Sequence, residues 1–211
     1  LCAPQSSLAQ VDQGVLPRIG LSKKINPSFT LNSSIQSRAS FYRHRTDSPP
    51  GLEHELLDWT SLLAYRTGPR SKVQIGYMLR FEDEDLIHRS IQRFSVVHEF
   101  LNGRLGHRIG TDQTFSSDES EEYRLRYRIS WETALQGEQV DTREFYLVLS
   151  KEFFGKLQDQ DTETELRLGA QLGYQLDSRW TLEAGPDYRW SDLRSPEAQI
   201  IWWSLNCYLE L

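Results

Sequence analysis

The sequence predicts an all-β chain, an antiparallel up-and-down transmembrane β-barrel of about ten strands with a polar, charge-filled lumen. Three observations predict it. From Phe29 onward apolar and polar residues alternate over segments of ten or so, the period of a strand whose two faces meet different surroundings. The links between segments are in turn longer and tighter, as in barrels with short turns at one rim and loops at the other. The apolar rows of the clearest segments end in Trp or Tyr, side chains that favour a membrane interface.

Composition fits this class. Charged residues make up 26% and mean hydropathy is −0.58, and no run approaches the roughly 18 apolar residues of a membrane helix. That excludes helical spans but not a barrel, in which only every second side chain faces lipid. A net charge of −6 argues against nucleic acid as a partner, because phosphate binding needs surplus clustered cations. Cys2 and Cys207 are too few for a disulfide framework and wrongly spaced for zinc. No cofactor is expected.

In chain order, residues 1–9 read as the remnant of a secretory signal, with small residues at Ser7 and Ala9 before Gln10. A lipidated Cys2 is the competing reading. Residues 10–27 read as a polar segment free in the periplasm, and residues 28–211 as the barrel. Its expected strands are Phe29 to Tyr42, Leu57 to Arg66, Lys72 to Glu82, Leu86 to Phe100, Arg104 to Phe115, Tyr123 to Glu132, Arg143 to Phe154, Leu166 to Leu176, Arg179 to Trp190 and Ala198 to Leu211. Tyr123 to Glu132 alternates most cleanly, with Tyr123, Leu125, Tyr127, Ile129 and Trp131 against Arg124, Arg126, Arg128, Ser130 and Glu132. Asp177-Ser178 reads as a tight turn, and Pro186 as a bulge or break. The longer links are expected at Arg45 to Glu53, Glu82 to Asp85, Ser116 to Glu121, Lys156 to Thr162 and Ser191 to Glu197. An even strand number leaves both ends in the periplasm.

Alternation alone also suits a soluble lipocalin-like barrel with its apolar face inward. The aromatics decide the orientation. Trp180 and Trp190 bracket one strand, and ten residues at about 3.3 Å, tilted by about 40°, span roughly 25 Å, the height of an apolar band. Tyr123 and Trp131 repeat the arrangement, so these four are the expected interface aromatics. The opposite face then lines the lumen with Arg80, Arg124, Arg126, Arg128, Glu132, Glu165, Arg167, Glu183, Asp187 and Arg189. Such a mixed set is expected to pair across strands, because an unpaired buried ion loses several kcal/mol of hydration. An anion-selective constriction at Arg124, Arg126 and Arg128 is the functional alternative.

His107-Arg108, Glu122 through Arg128, Glu144-Phe145-Tyr146 and Leu168 through Tyr174 together resemble the domain-of-unknown-function 2490 family of predicted outer-membrane barrels of Bacteroidota and related bacteria. The resemblance spans roughly Trp59 to Trp190. It implies a fold and a location in the bacterial outer membrane, and it carries no catalytic residues. One departure is the ending Tyr208-Leu209-Glu210-Leu211, where such barrels usually close on a terminal aromatic.

The five histidines, His44, His54, His88, His98 and His107, show no metal-ligand spacing, and no phosphate loop or nucleophile elbow is present. His98 with Ser90 or Ser95 is the one pairing that a lipid-modifying barrel could use. The expectation is therefore not an enzyme. It is a structural or accessory subunit of a larger outer-membrane assembly for secretion, uptake or protein insertion, contacting outer-membrane lipid and a protein partner. A small anion-preferring channel is the alternative, followed by a lipid-modifying enzyme and a soluble binder.

Overall fold

The computed structural model describes residues 11–42, 51–115, 120–159, 161–191 and 199–211. The signal remnant, Cys2, His44 and most of three expected long links lie outside them. Eleven strands close one barrel: β1 (Asp12–Lys24), β2 (Phe29–Tyr42), β3 (Glu53–Arg66), β4 (Ser71–Glu82), β5 (Asp85–Phe100), β6 (Gly103–Phe115), β7 (Glu122–Ala134), β8 (Phe145–Gln158), β9 (Asp161–Gln175), β10 (Trp180–Trp190) and β11 (Gln199–Glu210). Each strand pairs with its sequence neighbours, and β1 meets β11 to close the ring. Closure leaves no unpaired edge.

The count differs from the expected ten because the segment assigned to the periplasm is a strand. Val15, Pro17, Ile19 and Leu21 point outward, while Gly14, Leu16, Arg18, Gly20 and Ser22 turn inward. The glycines hide the alternation in sequence, and the barrel needs them. A Cβ at Gly14 would run into the Trp202 ring, and one at Gly20 into the Tyr208 ring. An odd strand number also changes the pairing: β1 and β11 run parallel, from Asp12 opposite Ile200 to Ser22 opposite Glu210. Asp12 therefore stands at the loop rim, while Leu211 lies at the turn rim with its N–H bonded to the Ser22 carbonyl (2.8 Å).

Three smaller expectations also change, the first being the longer link from Glu82 to Asp85, which is a two-residue turn with Glu82 opposite Asp85 and Asp83 at φ 52°. Pro186 causes no break: β10 keeps one register against β9 from Ala184–Leu172 to Asp187–Gly169, and Pro186 lies opposite Trp203 on the other side. The link expected from Lys156 to Thr162 is tight, since β8 continues to Gln158 opposite Asp161, and Asp159 turns the chain at φ 53°. The Asp177 turn forms as its residues demand. Its carboxylate accepts the N–H groups of Arg179 (2.7 Å) and Trp180 (2.8 Å), and these bonds hold the acid below the usual carboxylate range.

The two faces are unlike. Outward rows present Ile75, Leu125 and Leu205 at 54–56% exposure. At the turn rim, aromatic pairs girdle the wall: Phe29 with Tyr65, Phe100 with Trp131 and Phe145 with Tyr174, at 5.0, 5.5 and 4.7 Å between centroids. Trp180, opposite Leu209, belongs to this rim. Tyr123, Phe81 and Trp190 lie near the loop rim. Inward rows hold the charges, together with buried Leu16, Leu56, Ile91, Phe154 and Trp202.

Candidate functional site

In the loop-side half the lumen is filled by ion pairs, some across neighbouring strands as expected and two, Arg167–Glu165 and Arg189–Asp187, between residues two apart on one strand. Arg80 sits opposite Asp58 and donates to both its oxygens, at 2.8 and 3.0 Å, the bidentate geometry that makes such pairs strong. Asp112 receives Arg124 at 3.2 Å and Arg126 at 3.0 Å, and Arg126 reaches on to Glu152 at 3.1 Å. Glu122 gathers Arg124, Lys156 and Arg89. Arg167 pairs with Glu165, and Arg189 with Asp187. Aromatic faces complete the plug: Arg167 and Arg126 lie over Phe154, at 4.0 and 4.6 Å, and Arg38 over Trp202 at 5.2 Å. Asp112, Glu152, Arg89, Arg189, Phe154 and Trp202 are all buried here.

The turn-side half is different. A cavity of about 1060 Å³ extends to the turns, lined among others by Arg18, Lys72, Arg104, Glu132, Tyr146 and Glu183. Glu132 pairs with Arg104 at 2.7 Å, and the Tyr146 hydroxyl donates to Glu183 at 2.8 Å. All ten lumen residues named from the sequence lie on the inward face, yet they divide between plug and vestibule. Arg128 has no carboxylate within ion-pair distance among the described residues. Asp112, Glu152, Glu122, Arg89, Arg104, Arg108, Tyr146 and Trp202 are inward residues that the sequence reading does not include in the lumen set. Their alternation could have found them, but the segments that hold most of them alternate less cleanly.

The outer wall carries a second feature. Between the aromatic rims, Ser90 and Gln92 on β5 face Gln113 and Thr111 on β6. The amide of Gln113 donates to Gln92 Oε1 (3.1 Å), that of Gln92 to Gln113 Oε1 (3.2 Å), and Thr111 also donates to Gln92 (2.9 Å). Ser90 donates to Gln113 Oε1. Tyr77 bonds His88 Nδ1 and Tyr127 bonds His107 Nδ1, each at 2.8 Å. Beside this strip lies an outer-wall groove lined by Leu31, Ser61, Leu63, Ile75, Tyr77 and Gln92. The pairing of His98 with a serine does not form. Ser95 is buried in the lumen, Ser90 is eight residues from His98, roughly 26 Å along a strand, and His98 packs edge-on to His107.

A family model described as a protein of unknown function, DUF2490, matches residues 13–199. No curated protein matches the chain. Among solved structures, LpxR from Salmonella typhimurium is similar, with a TM-score of 0.54 over 86% of this chain and 83% of that one, at 9% identity. This similarity shows a shared β-barrel fold. It also corrects the expectation that the chain is not an enzyme: LpxR is an enzyme, so a barrel of this shape gives no ground for excluding catalysis.

Proposed function

Because this chain belongs to the DUF2490 family, we propose that it is a bacterial outer-membrane barrel that acts through its outer wall, docking laterally as an accessory subunit on another membrane-embedded protein. The observation that carries this reading is the Ser90, Gln92, Thr111 and Gln113 quartet, set among apolar rows that face lipid. Polar side chains in hydrocarbon are costly and mark functional surfaces. Inside a bilayer, proteins associate where small residues allow close approach and polar side chains bond across the contact. The groove beside Ser61 and the exchangeable amides of Gln92 and Gln113 meet both conditions. The short turns lie in the periplasm and the loops outside.

The test is a photo-crosslinking residue placed at Ser61 or Thr111 in cells. A discrete protein adduct, lost in the Gln92→Leu/Gln113→Leu double variant, is expected. Adducts to lipid alone, with isolation as a lone monomer, would overturn the docking role. That result would favour a second reading, an enzyme acting on membrane lipid, which the fold shared with LpxR and the Tyr77–His88 and Tyr127–His107 pairs support. Altered lipid in a deletion strain is its signature.

A further inference from the structure

We propose that Arg18, Arg93, Arg108 and Arg128 form a binding site for a soluble phosphate-type oxyanion, reached through the turn-side vestibule. Arg108 and Arg128 lie directly opposite each other on β6 and β7. Arg108 also lies opposite Ser95, which lines the vestibule together with Arg18 and Lys72. Arg93 is two residues from Ser95 on the same face. The charges that act most strongly on Arg108 are Arg128 and Arg93, opposed by Glu152. Arg93 in turn feels Arg126 and, across the barrel, Arg18, against Asp112 and Glu152.

The nearby carboxylates are already engaged. Asp112 holds Arg124 and Arg126, and Glu152 holds Arg126. Glu183 accepts the Tyr146 hydroxyl. Among the described residues, no carboxylate lies within ion-pair distance of the four arginines. Arg18 donates one N–H to Ser34 (3.1 Å), while its Nε and that of Arg128 are buried without an acceptor. Like charges placed directly opposite repel, and buried guanidiniums without partners are costly. An oxyanion relieves both at once. The fork of a guanidinium matches two oxygens of a phosphate, and several forks can share a tetrahedral anion in a way that a monatomic ion cannot reproduce. Gly110, opposite Arg93, contributes no side chain to the space. Lys72, on which Arg108 and Arg104 act, stands on the way in.

The test is calorimetric titration of the purified, folded chain in detergent with inorganic phosphate, with chloride as the control anion. Saturable phosphate binding is expected. In the Arg108→Gln/Arg128→Gln variant the affinity should fall by about tenfold or more, the loss of at least one charge-assisted hydrogen bond. The rim variant Arg70→Gln should keep it. Phenylglyoxal labelling, read by mass spectrometry on the wild-type chain, keeps the idea testable if the double variant does not fold: phosphate should protect Arg108 and Arg128. No saturable phosphate binding, unchanged affinity in the double variant, absence of protection, or binding only to phosphatidylglycerol micelles would each overturn the proposal.

Discussion

Asp112 has no exposed side-chain surface and carries two guanidiniums, those of Arg124 and Arg126. Removing one member of a buried ion pair costs about 3–5 kcal/mol, because the remaining charge is stranded. Asp112→Ala should destabilise the barrel by an amount in that range, read as a lower urea midpoint for the unfolding of the heat-modifiable form. Asp187→Ala on the opposite side of the plug, with one arginine partner, should cost less, and equal losses would contradict the central role given to Asp112. Whereas Arg89, Arg104 and Arg108 lie on strands that alternate less cleanly, Arg80, Arg124, Arg126, Arg128, Arg167 and Arg189 were legible as inward because a period of two assigns a face to every residue of a cleanly alternating strand. Their partners were not, since Asp112 meets Arg124 and Arg126 only through the β6–β7 register, and register is a property of two strands. That Arg128 faces no carboxylate among the described residues was hidden for the same reason.

Among the elements, ten strands stood out because apolar side chains alternate with charged ones. β1 did not, because glycine and serine fill much of its inward row, and a row of small residues gives no contrast. Its role is to make room: Trp202 and Tyr208 lie over Gly14 and Gly20. Gly14→Val should therefore block the β1–β11 contact. The expected readout is loss of heat-modifiable migration, with the chain becoming sensitive to protease, whereas Val15→Ile on the outward face should leave both unchanged. The outer-wall strip on β5 and β6 was visible only as imperfect alternation. Gln92 and Gln113 looked like noise in the pattern until pairing set them side by side.

For the whole molecule, the plug and the vestibule divide the lumen into a filled half and an open half. A barrel of this strand number has little bore once large side chains point inward, and the plug adds Phe154 and Trp202 to its ion pairs. Planar-bilayer recording should show no steady conductance from the wild-type chain. Steady anion current that disappears on replacement of Arg126 would contradict a filled cross-section and restore the channel reading. The vestibule, by contrast, should admit small solutes from the turn side without passing them on.

The parallel seam between β1 and β11 ties the beginning of the barrel to its end, with Asp12 opposite Ile200. Among the described residues no other strand pairing spans so much sequence, so ring closure must await the last strand made and carries the largest loop entropy. Parallel ladders are also slightly weaker per residue than antiparallel ones. The wall thus has one joint that forms last and yields first, and an incoming insertion factor or a lateral opening would find it there.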